Sequence, residues 1–359
     1  MSFKPSSYKQ SPLPVRNGIN ATRLRVPTTG PWETIQEYTL DRFGHIDAEG
    51  LRRRFAHGEV AAVDGSRVTP ETPLGEHEFI WYYRDSPNEE HIPFYCRVIH
   101  RDADLLVVDK PHFLPMTPGG RYVRESALAR LRVQLGIDDL VPIHRLDRAT
   151  AGVVMFSINP ATRGAYQTMF ERREITKKYQ AVTLTPPGWD PQHPALGGTR
   201  LPFTVRSHIK KVRGEIVVRL HRLDQFPPNA VTRIRLAAYG LNRRGEGVCL
   251  WDLSPVTGRT HQLRVHLAQL GSGIIGDQHY PYLLDDAPDN HDEPLQLLAH
   301  TIRFTDPLTG QPRSFTTQQR LTLGPLTIPT QDSSITQDSS PAQHYSSTKH
   351  RSVTQDGRP

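Results

Sequence analysis

Cysteine is nearly absent: Cys96 and Cys249 are the two in 359 residues. They lie far apart without the paired spacing of a zinc site, which excludes a disulfide scaffold and a structural zinc module. No run of about 18 apolar residues occurs, so a transmembrane helix is excluded. The opening MSFKPSSYKQSPLPVRNGIN lacks the apolar centre of a signal peptide. Neither a glycine-rich phosphate loop nor a Rossmann fingerprint is present, which argues against a nucleotide cofactor. These absences leave a soluble chain of a reducing compartment, expected in the cytoplasm and, by default, as a monomer.

Acids are also missing locally. Residues 1–30 contain Lys4, Lys9, Arg16, Arg23 and Arg25 and no acid. Over the whole chain 44 Lys and Arg face 37 Asp and Glu, a modest net charge of +7. Its placement is more telling. Residues 141–180 hold seven basic side chains against Asp147, Glu171 and Glu174, and residues 206–213 hold four bases and no acid. Clustered positive charge favours a polyanion by counterion release, so a nucleic acid is the expected partner.

The length accommodates two or three folded units. A hydrophobic content of 36% supports a core, whereas 31 prolines indicate loops and tails. Both ends read as disordered: a basic arm over 1–30, and a polar tail over 326–359 in which TQD recurs at Thr330, Thr336 and Thr354. Residues 31–88 read as a separate α+β module. It has a basic helix from Leu51 to His57, a stop at Gly58 and two strands about a turn at Asp64-Gly65. A main domain over 92–325 opens with DLLVVD (104–109), a buried strand. A helix from Ser126 to Gly136, a buried strand GVVMFSI (152–158) and a helix capped by Asn159 follow. Further strands are expected at Lys177–Leu184, Glu215–His221, Val231–Ala238, Cys249–Leu253 and His300–Phe304, with a helix over His261–Leu270. Strands outnumber helices and are mostly consecutive, which predicts an α+β fold with a mixed, largely antiparallel sheet.

Three stretches carry candidate chemistry. In IHRLDRATAG (143–152), Asp147 is flanked by Arg145 and Arg148 and leads through small residues into a buried strand. Nearby positive charge keeps such a carboxylate ionised, as a nucleophile, an electrostatic stabiliser or a structural ion pair. HRLD recurs at 221–224 without the small-residue elbow, and Asp224 reads as a turn residue. In LSPVTGRTHQLRVHLAQLG (253–271), His261 and Arg264 share a helix face opposite the leucines. His261 and His266 stand five apart, so their rings diverge and no metal pair is expected. In ITKKYQAV (175–182), Tyr179 lies on a strand beside two lysines.

Together these stretches resemble the RluA-type family of RNA pseudouridine synthases. HRLDRATAG is similar to its H-R-L-D-x-x-T-S-G, TGRTHQLRVH to its T-G-R-x-H-Q-[IL]-R-x-H, and KKYQAV to its K-x-Y-x-A. LLVVDKP (105–111) and GDQHY (276–280) match further elements, in family order over roughly 92–325. The module at 31–88, with GEVAAVDGSRV, resembles the S4 RNA-binding module, which also precedes this domain in the family.

The resemblance implies a pseudouridine synthase fold and an isomerisation of uridine in ribosomal or transfer RNA, without cofactor or metal. It implies that Asp147 is the nucleophile and that Arg259 pairs with it. Tyr179 would stack on the uracil and could take the C5 proton. Arg145 would occupy the space left by the extruded nucleotide, since the base cannot be rearranged inside a stack. His144, Arg148, His261, Arg264 and Leu298 are the further substrate-binding residues it implies. Two positions depart from the pattern. Ala151 stands where Ser is frequent, and LLAH (297–300) shifts a histidine by one place, to the opposite strand face. The basic stretch 206–213 reads as a strand-gripping loop. Two other readings are an inert RNA binder on the same fold and a retaining glycoside hydrolase. The latter wants a second carboxylate about 5 Å from the first, and the motif stretches near Asp147 supply none.

Overall fold

The sheet and helices follow from where apolar residues recur at spacings of two and of three to four. The computed structural model describes residues 11–86, 88–284, 288–321 and 326–327. The expected polar tail therefore lies outside the described residues from 328 onward, as do the first ten residues of the basic arm.

The described part of that arm is ordered. Strand β1 (Thr22–Arg25) pairs with an edge of the small N-terminal sheet, and Val26 behind it is buried. Alternation of Leu24 with Arg23 and Arg25 is a strand signal that the basic composition masked. Helix α1 (Ile35–His57) is also longer than the Leu51–His57 expected from sequence. It consists of two helices merged across a kink at Asp47. The Asp47 carboxylate accepts from the Gly50 amide at 2.9 Å and from Arg54 at 3.0 Å, capping the second half. The end at left-handed Gly58 is as expected. Strands β2 (Val60–Ala62) and β3 (Phe79–Tyr82) complete a sheet of order β1-β3-β2 over a core of Val26, Ile35, Phe55 and Ile80.

The larger part begins with β4 (Arg97–Arg101) and β5 (Leu105–Lys110), then α2 (Ala127–Leu135), β6 (Val141–Pro142) and β7 (Ala151–Ser157). Helix α3 (Arg163–Glu171), strand β8 (Ile175–Leu184) and the short hairpin β9 (Ala195–Leu196) and β10 (Thr199–Arg200) follow. Next come β11 (Phe203–Lys211), β12 (Val218–His221), β13 (Ala230–Leu241), β14 (Gly247–Pro255) and α4 (Gln262–Gln269). The described chain closes with β15 (Leu297–Thr305), β16 (Pro312–Thr316) and β17 (Leu326–Thr327). The main sheet runs β12-β11-β13-β14-β8-β15-β7-β5-β4, and its pairings are antiparallel except β7 with β15. It is the mixed, largely antiparallel α+β sheet expected.

The continuous apolar runs of β5 and β7 are buried on both faces. Leu106, Val108, Val154 and Phe156 pack under α2, and Leu105, Val107, Val153 and Met155 pack on α3. Helix α3 starts later than expected. Asn159 caps a preceding turn through the Ala161 amide at 3.0 Å, and the helix begins at Arg163. The stretch 206–213 is a second correction. Most of it is strand β11, in which Val205, Ser207 and Ile209 are buried while Arg206 and Lys210 are exposed. Arg206 and Lys210 occupy one face of a half-buried strand and Lys211 the other, and charge alone looked like a loop.

Candidate active site

Asp147 sits in the turn between β6 and β7, where its carbonyl accepts from the Thr150 amide at 3.1 Å. The turn delivers the chain into β7 beside β15. Gly152 there has φ 115°, and a Cβ would lie 2.3 Å from the Ala299 carbonyl oxygen, so only glycine fits. Ala151, where the family pattern has Ser, is buried with Val182, Val248 and Leu298, and a methyl suits that apolar site.

Lys110, fully buried at the end of β5, anchors the same turn. Its ammonium donates to the carbonyls of Pro111 at 2.7 Å, Leu114 at 2.9 Å and Arg148 at 3.1 Å. Burial pushes it down to about 7, and the three acceptors take all three protons of the charged form.

The carboxylate of Asp147 opens into a cleft of about 630 Å³, within the range of ligand sites. Arg264 Nη1 lies 3.6 Å from Asp147 Oδ2, and His261 Nε2 lies 3.9 Å away. Arg264 does not swing freely. Its Nε and Nη2 donate to the buried Asp277 at 2.8 and 2.6 Å, and Asp277 also accepts from the His279 and Tyr280 amides. Tyr280 completes the frame: its ring lies under the Arg264 guanidinium at 5.4 Å, and its hydroxyl meets His261 Nδ1 at 3.0 Å. His261 itself is left-handed, φ 53°, at the start of α4. Burial lowers its imidazole to about 4, although Asp147 pulls the other way, so it is neutral at pH 7. His266 is elsewhere, between Ser207 and Thr232, and the two rings share no site.

The sequence-derived residues divide accordingly. Asp147, His144, Arg145, Tyr179, Arg259, His261 and Arg264 all line the cleft. Arg259, however, is not the partner of Asp147. Its Nε donates to the Asn229 carbonyl at 3.2 Å on an exposed turn, and Arg264, in the first turn of α4, faces the carboxylate. Arg148 forms a bidentate pair with Asp289 at 2.5 and 2.7 Å and does not line the cleft. Leu298 is core, 1% exposed, and its neighbour Leu297 lines the cleft instead. Adjacent strand residues face opposite ways, and the shifted histidine, His300, falls in a bulge between Ala299 and Thr301.

Tyr179 faces the cleft from β8. Burial first, then the Asp147 charge, push its phenol upward, so it stays protonated near neutrality. His144 is held by burial at about 3, neutral, with its ring stacked on Phe170 at 4.8 Å. Its Nε2 accepts from the Met155 amide at 3.2 Å. Residues that sequence reasoning did not assign are Asp277, Tyr280, Lys177, Glu171 and Leu297. Asp277 and Tyr280 were visible within GDQHY, but their partner lies 13 residues upstream of Asp277.

A carboxylate beside a fixed guanidinium, in a basic cleft that Tyr179 also lines, suits attack on an extruded nucleotide. The family model described as RNA pseudouridylate synthase matches residues 104–269. An uncharacterised RNA pseudouridine synthase of Synechocystis is 30% identical over 247 residues, covering 68% of this chain and 78% of that protein. The dual-specificity RNA pseudouridine synthase RluA of Haemophilus influenzae is also 30% identical, over 62% of this chain and 92% of its own. The solved structure of human RNA pseudouridylate synthase domain containing 1 shares the fold, with a TM-score of 0.50 at 23% identity over 64% of this chain and 86% of its own. The chain belongs to the RluA-type family of RNA pseudouridine synthases, isomerases that convert uridine in RNA to pseudouridine.

Proposed function

We propose that the chain modifies uridines of ribosomal RNA, transfer RNA or both, with Asp147 as nucleophile and Arg264 aiming it. The observation that carries this reading is the buried Arg264, gripped by Asp277 and facing Asp147 at 3.6 Å. A planar guanidinium held on one side by a carboxylate presents its remaining N–H groups in a fixed direction. Relatives named as dual-specificity synthases support the breadth of substrate.

The target nucleotide leaves its stack and enters the cleft, with exposed Arg145 filling the space behind it. Tyr179 stacks on the uracil. In this reading the same side chain, lining the cleft with Asp147, is the base that takes the C5 proton. Asp147 bonds to the ribose or to the base and is released again; over the cycle the bond from N1 to C1′ breaks and one from C5 to C1′ forms, while C5 loses a proton and N1 gains one. Atoms and electrons balance without a nucleotide cofactor. His144 supports the turn before Asp147 by packing, and His261, neutral, borders the carboxylate without adding charge. The N-terminal module, 31–88, adds RNA contact to a catalytic domain over 92–325, and the protein works as a cytoplasmic monomer.

Carbodiimide mapping of pseudouridine in total RNA tests the reading. Sites that vanish on deletion return with the wild-type chain and stay absent with Asp147→Asn. Sites restored by the Asn variant would overturn it.

A further inference from the structure

The main sheet has a second face, and its charge is one-sided. On β8 the side chains alternate: Lys177 and Tyr179 line the cleft, and Lys178 is exposed on the reverse. Register carries that reverse face across the sheet. Asp252 of β14 is paired with Arg235 of β13, and Arg233 with both Ser254 of β14 and Thr204 of β11. Arg206 and Lys210 follow Thr204 at even spacing, and Arg303 of β15 continues the row beyond Lys178. A groove of about 340 Å³ lies here, lined among others by Lys178, Arg233, Arg235 and Asp252.

Asp252 pairs with Arg235. Among the described residues Lys178, Arg206, Lys210, Arg233 and Arg303 form no ion pair. Like charges on neighbouring strands repel, so an unmatched row is a cost that a polyanion would relieve. The row crosses β11, β13, β14, β8 and β15, about 19 Å at about 4.8 Å per strand. That is the reach of a string of phosphates, not of a single small anion.

The row also connects to the active cleft. Lys211 lines the cleft, and Lys210, the next residue on the same edge hairpin, faces the reverse. We propose that the reverse face is a second RNA-contacting surface, reached from the cleft around the β11–β12 edge. The proposal rests on the synthase reading and names where flanking RNA runs once its uridine is engaged.

Salt titration of RNA binding by the full chain tests it, comparing wild type with the triple variant Lys178→Gln, Arg206→Gln, Arg233→Gln. Three probes are used: unfractionated transfer RNA, polyglutamate, and an oligouridine of about 8 nucleotides, short enough to occupy one groove. For transfer RNA the variant's log–log salt slope should be shallower by about 2 to 3, at about 0.7–0.9 per lost phosphate contact. Between 50 and 200 mM salt the wild type should then lose about 20- to 40-fold more affinity than the variant. Oligouridine affinity should be unchanged, which also shows that the variant is folded. An unchanged transfer RNA slope overturns the proposal. So does loss of binding to polyglutamate alone, which would mark a protein-facing surface. Pseudouridine mapped in total RNA from cells carrying the wild-type chain reports separately on the cleft. Its absence, with the slope change present, would sink the synthase reading and leave this surface standing.

Discussion

The tetrapeptide His-Arg-Leu-Asp occurs at 144–147 and again at 221–224, and the two copies have different fates. In the first, Leu146 is 5% exposed, His144 is stacked under Phe170, and Asp147 faces Arg264, a residue 117 positions away. In the second, Leu223 is 46% exposed and Asp224 pairs with Arg222 at 2.8 Å, two residues away. Identical local chemistry thus yields a site in one place and a solvated turn in the other. What separates them is long-range packing, supplied by β7, α4 and the Asp277 loop.

Substitutions made in pairs should expose that difference. Asp147→Asn should lower pseudouridine formation on the order of 10⁴-fold with little change in melting temperature, whereas Asp224→Asn should leave the rate unchanged. Equal losses in purified enzymes would mean that the second copy also works in catalysis. The partners should differ nearly as much. Asp277→Ala strips the buried Arg264 of both hydrogen bonds to that carboxylate, leaving it Asp147 at 3.6 Å, and should cost about 3–5 kcal/mol in denaturant unfolding, while Arg222→Gln should leave the unfolding midpoint where it was. Leu146→Ala should lose about 2–5 kcal/mol, and Leu223→Ala should stay within about 0.5 kcal/mol.

The smallest contrast concerns pH. His144 sits at about 3 because burial disfavours its charged form, followed by the effect of Lys177. Unfolded, a histidine binds its proton near pH 6.5. Between those values the unfolded chain binds a proton that the folded chain does not, so stability falls as pH falls through that window. Unfolding free energies at pH 7 and pH 5 should therefore differ less in His144→Gln than in wild type. A wild-type difference retained in His144→Gln would remove His144 as a source of acid sensitivity.

Much of this contrast was legible in the sequence. The elbow of small residues marked the first copy, and Gln225-Phe226-Pro227-Pro228 marked the second as a turn. Apolar runs located β5 and β7, and Ser126 and Gly136 located both ends of α2. Two kinds of information were not local. Strand β11 was hidden because Ser207 and His208 dilute its alternation and its lysines look like a loop. The choice of Arg264 over Arg259 depends on how the chain turns at left-handed His261, which no spacing rule specifies. Leu298 and Leu297 differ only in which face β15 presents, and a bulge at His300 unsettles any count along that strand.

The clamp made by Lys110 has a consequence for how this enzyme tolerates change. It grips carbonyl oxygens, and every residue type carries one. The identities of Arg148 and its neighbours can therefore drift while the loop keeps its path and Asp147 its aim. Side-chain anchors such as Asp289 for Arg148 must change together; a backbone anchor need not. The vulnerable partner in this arrangement is the lysine itself, a residue with no surface of its own.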